Sequence, residues 1–252
     1  RLIERWHQKT PLLSYAITPR FAPTCSAELL HGAGALAAAH GTRVQTHLNE
    51  TPGEITRMRA MFPDSAHYTG VYRDAGLLGD RTVLGHNIHT DDEQLEILRT
   101  YDCAVAHCPD SNLFLGSGRF PLERHEEFGI RTALGSDVGA GTTLSMLHVM
   151  RTMSYAQGRS LHPFIPLYHA TLGGADALGL AGETGSLEVG KSADMIALHV
   201  ERRFCRGKAL PDLSDVEIAS VLVYRTPETA VRRAWVRGKE IDPFTMPHEE
   251  RG

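Results

Sequence analysis

His47-Leu48-Asn49-Glu50 is the tetrapeptide of this chain best suited to chemistry. It closes an apolar, β-branched run with an imidazole and sets a carboxylate three residues on. One side chain can hold a metal while the other serves the same pocket as acid or base. The plainer alternative is a strand-end histidine bonded to backbone and a glutamate that opens a helix. His86 ends the run Thr82-Val83-Leu84-Gly85 in the same way, and Asp137 follows Leu134-Gly135-Ser136. A carboxylate at the end of an apolar strand calls for a cation or hydrogen-bond donors; the alternative for Asp137 is a helix cap, a role that Asp favours. In Thr18-Pro19-Arg20-Phe21 a planar donor fork stands beside an aromatic face, which suits a flat polar ring. The alternative for Arg20 is a surface ion pair. His, His and Asp at the ends of three strands in order, with Glu50 beside the first, point together to one site.

Those residues need elements that deliver them to one edge. Five runs rich in β-branched residues recur at 12–17, 43–48, 82–87, 103–108 and 130–136. Helical candidates at 26–40, 52–62, 91–100 and 121–128 alternate with them. That rhythm predicts a parallel sheet with crossover helices, whose C-terminal edge is where catalytic groups converge. The Asp91-Asp92-Glu93 cluster places carboxylates at the positive end of its helix. The expected fold class is α/β, a (β/α)8 TIM-type barrel of which about five strands, the second half, are present, with a small β-sandwich appendage at the C-terminus. The barrel part is expected over 1–182 and the appendage over 183–252. Within these, helices are expected at 143–157 and 163–180, then strands at 193–200, 217–225 and 229–241. The opening RLIERWHQKT reads as the tail of a helix.

The 252 residues, 42% hydrophobic, are enough to bury a sizeable core. A net charge of −4, with 22 Arg and 4 Lys scattered along the chain, offers no field for a polyanion, so nucleic acid is excluded and small molecules are the expected partners. Cys25, Cys103, Cys108 and Cys205 have neither zinc-knuckle spacing nor the density of a disulfide scaffold, which predicts a reducing, cytoplasmic setting. No window approaches the ~18 apolar residues of a membrane span.

In their order along the chain, TPRF (18–21), HLNE (47–50), LGH (84–86), HCPDSNL (107–113) and GSDVGAG (135–141) resemble the motifs of the amidohydrolase superfamily. ATLGGADALGL (170–180) and GSLEVGKSADMIAL (185–198) resemble its closing helix and its return to a β-sandwich, so the likeness spans nearly the whole chain. Within the superfamily, Thr18 to Phe21 resembles the purine-binding segment of guanine deaminases.

The resemblance implies hydrolytic deamination of guanine to xanthine and ammonia by a cytoplasmic homodimer with one Zn2+ per active site. It implies that His47 and Asp137 bind zinc and face the substrate, that Arg20 meets the polar edge of the base, and that Phe21 packs on its ring. Asp137 would accept the proton of the attacking water, and Glu50 would carry a proton to the ring nitrogen next to the attacked carbon. His86 would stabilise the attacking oxygen. Ser111 and Asn112 would line the pocket or brace the next strand, and His107 would be structural or supporting. The alternatives are another amidohydrolase acting on an aminated or chlorinated heterocycle, and a non-catalytic fragment without zinc.

The fragment alternative is motivated by the superfamily's His-x-His ligand pair. No His-x-His occurs in this sequence, and His86 and His89 are spaced too widely to replace it. The expectation is that this pair and three further barrel strands precede Arg1, and that the chain alone binds zinc poorly. His125-Glu126-Glu127 matches only half of the cytidine-type deaminase pattern, whose Pro-Cys-x-x-Cys is absent.

Arg20→Lys is expected to weaken guanine binding and blur discrimination against other amines, because a point charge lacks the planar fork that can address two acceptors at once. Unchanged steady-state kinetics on guanine would favour the surface ion pair.

Overall fold

The computed structural model describes residues 1–241; residues 242–252, the end of the expected appendage, lie outside the described residues. The chain opens with α1 (Leu2–Trp6), β1 (Ala16–Ile17), α2 (Ala27–His40) and β2 (Arg43–Leu48). It continues through α3 (Pro52–Met61), α4 (Tyr68–Asp74), β3 (Thr82–His86) and α5 (Asp92–Thr100). Then come β4 (Ala104–His107), α6 (Pro109–Phe114), α7 (Leu122–Glu127) and β5 (Arg131–Leu134). The five strands pair in parallel in the order β1-β2-β3-β4-β5. With strands paired in sequence order, crossovers of the usual right hand lay their helices on one face, so the sheet winds in one direction as a barrel does.

Local chemistry sets the element boundaries. Ser26, Thr51 and Asp91 each accept from the backbone N–H three residues on, capping α2, α3 and α5. Leu30, Leu48, Leu84, Leu95, Leu98, Val105 and Phe120 are buried in the main core. β1 is shorter than expected, because only Ala16 and Ile17 pair with β2 while Leu12 and Leu13 lie exposed in a turn. α4 and α6 were not foreseen.

The second half differs more. After α8 (Met146–Ala156), the helix expected at 163–180 is two, α9 (Phe164–Ala170) and α10 (Leu172–Ala177), broken at Thr171. Both pack against β5. β6 (Met195–Leu198) follows. The strand expected at 217–225 is instead α11 (Asp215–Tyr224). Its β-branched composition reads as a strand, but Ser214 and Glu217 close a reciprocal capping box that satisfies two backbone donors and starts a helix. The segment 229–241 is a hairpin, β7 (Val231–Val236) and β8 (Lys239–Ile241), turned at Arg237 and Gly238, both with positive φ. β6, β7 and β8 form a separate antiparallel sheet. No helix among the described residues is long and apolar enough to cross a membrane.

α2 is seated closely on the turn after α4. A Cβ at Gly34 would stand 2.0 Å from the carbonyl oxygen of Ala75, whereas one at Gly32 would meet nothing within 4 Å. Gly34→Ala is expected to cost about 1–3 kcal/mol by overpacking. Gly32→Ala, on the exposed side of the same helix, should gain roughly 0.5–1 kcal/mol. Urea unfolding of both variants checks this, and equal midpoints would contradict the seating of α2.

Candidate active site

His47, at the end of β2, is held through the carbonyl of Arg20. That oxygen accepts from the His47 backbone N–H at 3.2 Å, from its Nδ1 at 2.8 Å and from Thr46 Oγ1 at 3.1 Å. A carbonyl only accepts, so Nδ1 carries the ring proton and Nε2 presents its lone pair. The backbone-bonded histidine and the ligand-ready histidine are thus the same residue. The buried Tyr72 hydroxyl donates to the carbonyl of His47 at 2.7 Å and accepts from the Ala22 N–H at 3.0 Å, tying β2 to the Arg20-Phe21 segment. Burial pushes the Tyr72 phenol up to about 12, which keeps it a donor.

His86 lies opposite Leu48 in the β2–β3 register, so simple alternation would turn it away from His47. Left-handed backbone at His86 (φ 69°) and Asn87 (φ 44°) breaks the alternation and brings the two imidazole centroids to 5.2 Å. The His86 Nδ1 donates to Asn112 Oδ1 at 2.9 Å, and its Nε2 then stands 3.7 Å from Glu50 Oε2 and 3.8 Å from Asp137 Oδ2. The candidate ligand atoms of His47, Glu50 and His86 lie within 4.8 Å of one another.

Asp137 also has positive φ (47°), and its carbonyl accepts from the N–H groups of Ala140 and Gly141 in a tight turn. A Cβ at Gly141 would fall 1.9 Å from the carbonyl of Ser136, so this turn closes only around a glycine. Asp110 holds the far side of the loop by accepting from the backbone N–H and the hydroxyl of Thr142. The helix-cap alternative for Asp137 does not hold, since α8 begins nine residues later, at Met146.

Glu50 follows Asn49, itself at φ 50°. Its Oε1 accepts from Ser117 Oγ at 2.9 Å, and its backbone N–H donates to Glu54 Oε2 at 3.2 Å. Burial raises the Glu54 carboxyl above its usual range.

Beneath these groups runs a buried amide network. Asn49 Nδ2 donates to Gln94 Oε1 (3.0 Å) and Asn87 Oδ1 (3.3 Å), and Thr69 Oγ1 donates to Gln94 Oε1 (3.0 Å). Asn87 Nδ2 donates to His125 Nε2 at 2.9 Å, because the other ring nitrogen donates to the carbonyl of Pro121. Asn112, expected to line the pocket or brace a strand, braces His86. His107 is fully buried and stacked on Phe120 at 4.4 Å, with neither ring nitrogen partnered among the described residues.

Arg20 lies exposed over the Phe21 ring at 5.3 Å, and that ring is 5.8 Å from His47. Arg20 makes no ion pair among the described residues, so the structure does not supply the partner that its plainer reading requires. An open groove of about 980 Å³, bordered by Tyr15, Ile17, Pro19, Arg20, Leu29 and Leu36, runs beside this segment. Sequence reasoning missed Tyr72, Asn87, Gln94 and Ser117; the signal available was for Asn87, which directly follows His86 and is a residue type that tolerates left-handed backbone.

A five-stranded parallel sheet wound one way, with imidazoles and carboxylates gathered at its C-terminal edge, defines part of a TIM-type barrel built around a candidate metal centre. Residues 1–241 match the Amidohydrolase family, and the chain belongs to that family. It is 39% identical over 246 residues to the probable guanine deaminase of Deinococcus radiodurans, a match covering 94% of this chain and 56% of that protein. The solved structure of E. coli guanine deaminase superposes with a TM-score of 0.90 at 35% identity, over 96% of this chain and 58% of that one. Guanine deaminase from C. acetobutylicum, with bound guanine in the active site, gives a TM-score of 0.83 at 28% identity, over 96% and 58%. The chain spans about half the length of the curated relatives it matches.

The buried histidines make folding pH-dependent. Burial lowers His107 from 6.5 to about 3 and His125 from 6.5 to about 4. Below 6.5 the unfolded chain binds these protons and the folded chain does not, so stability is full above that value and falls as pH drops toward 4. Each residue contributes a slope of up to about 1.4 kcal/mol per pH unit. Urea unfolding at neutral pH and about two units lower should show the loss, and His107→Phe should reduce it. A flat profile would contradict the buried neutral rings.

Proposed function

We propose that this chain carries much of the active site of a zinc-dependent aminohydrolase that converts guanine to xanthine and ammonia. The observation that carries the reading is the shared tautomer of His47 and His86. Each ring commits Nδ1 to an oxygen acceptor and leaves Nε2 uncommitted; the ring centroids are 5.2 Å apart, and the Glu50 and Asp137 carboxylates stand beside His86. Metal-binding histidines show this arrangement, in which the second nitrogen fixes the ring. Imidazole with carboxylate is a donor set that suits zinc.

His47 and Asp137 would hold the ion. Catalytic zinc normally has three protein ligands, and the further His-x-His pair is not in this sequence. When bound, zinc supplies the Lewis acidity that makes hydroxide available near neutral pH. The chain's own groups do the rest. Asp137 accepts the proton of the attacking water, and Glu50 delivers a proton to the ring nitrogen beside the attacked carbon. The bare Nε2 of His86 accepts a hydrogen bond from that water and so steadies the incoming oxygen. The amino group then takes the proton held by Asp137 and leaves as ammonia when its C–N bond breaks, while the hydroxyl proton passes to Glu50 as the new carbonyl forms. Arg20, free to donate its planar fork, meets the polar edge of the base, and Phe21 covers its ring. The names of the relatives support guanine as substrate. Four buried free cysteines support a cytoplasmic setting, and a homodimer completes the reading, to be checked by solution mass.

Ammonia release from guanine, adenine, cytosine and melamine tests the substrate. In a protein that also supplies the further ligand pair, Glu50→Gln is expected to keep zinc and guanine binding while turnover falls by roughly two orders of magnitude or more, the usual contribution of a positioned general acid–base group. A Glu50→Gln protein as active as its parent would remove Glu50 from proton transfer.

A further inference from the structure

The segment between α6 and α7 contains Gly116-Ser117-Gly118. Nothing in the mechanism above uses it, yet Ser117 is only 3% exposed and is fixed from three sides. Its backbone N–H donates to the carbonyl of Asn112 at 2.9 Å, the residue whose side chain holds His86. Its carbonyl accepts from Nε2 of His89, three residues beyond His86, at 2.8 Å. Its hydroxyl donates to Glu50 Oε1 at 2.9 Å. Gly118 lets the chain turn away immediately, with φ 134°, and a Cβ there would press on Ile88 at 3.1 Å. A short loop is therefore anchored to the β3 end by backbone and aims one hydroxyl at one carboxylate oxygen.

We infer that Ser117 is the positioning residue for Glu50, holding Oε1 so that Oε2 is the oxygen presented to His86 and the reacting ring. Because a carboxylate rotates freely about its last bond, two equivalent oxygens would otherwise share that direction. Ser117 removes this freedom with one charge-assisted hydrogen bond. The inference deepens the proposed function and rests on it for the meaning of Glu50. It also gives His89 a part: fixing the carbonyl of Ser117 rather than binding metal.

Two double-mutant cycles test it, one in turnover and one in stability. Ser117→Ala should lower kcat about tenfold or more with KM within about twofold, because the contact serves the reacting group rather than ground-state binding. In a Glu50→Ala background the same change should have no further effect on kcat. In urea unfolding, the midpoint shifts of Ser117→Ala and Glu50→Ala should be non-additive, since the two side chains share one contact. An equal kcat loss in both backgrounds would make Ser117 merely structural, and an unchanged kcat or additive midpoint shifts would overturn the inference. A parent protein that carries the further ligand pair yet is inert toward guanine would overturn the proposed function instead, while the unfolding cycle would still decide whether Ser117 holds Glu50.

Discussion

Two ring protons organise this site. The carbonyl of Arg20 takes the one on His47 and the amide oxygen of Asn112 takes the one on His86, so both Nε2 atoms are left uncommitted. The surrounding structure follows from keeping those two acceptors in place. β1 pairs over only two residues, but the extended backbone beyond it delivers the Arg20 oxygen to three donors at once. α6 is a helix of six residues, too short to be stable by itself, and it stands where Asn112 can reach across to the end of β3. Removing the Asn112 acceptor would strand the buried His86 donor at a cost of about 1–3 kcal/mol and free the ring to turn.

Holding the groups there costs backbone strain. Asn49, His86, Asn87 and Asp137 all have positive φ, four of the eight non-glycine residues that do among those described, and all four sit at the sheet's C-terminal edge. Each is worth on the order of 1–3 kcal/mol. The buried amides of Asn49, Asn87 and Gln94 offset part of that cost by making left-handed backbone the conformation in which their hydrogen bonds are met. Stability is thus given up at the strand ends and recovered one layer below, where the network joins β2, β3, α4 and α5.

The barrel half of the fold was legible because two signals agree there. β-branched runs stop at polar residues, and Ser26, Thr51 and Asp91 then cap the helices that follow. Agreement failed at 217–225, where strand-like composition met a Ser214–Glu217 capping box and the local hydrogen bonds prevailed. His47, Glu50, His86 and Asp137 could be singled out because each ends or follows a strand. Their supports could not: Tyr72, Gln94 and Ser117 act across 25, 45 and 67 residues of sequence separation, and no local spacing records such contacts. The left-handed turn that redirects His86 left one local trace, the Asn87 that follows it, while alternation alone assigns that side chain to the opposite face.

The positions of the ring protons of His47 and His86 decide whether both Nε2 atoms are open to a metal or reactant. Long-range 15N–1H correlation spectra of histidine-labelled protein, recorded where the rings are neutral, distinguish the two tautomers by the shifts of their ring nitrogens. The structure predicts protonated Nδ1 and bare Nε2 for both residues. Protonated Nε2 at either one would mean that its acceptor does not hold the ring, and that the pair does not face a common metal or reactant.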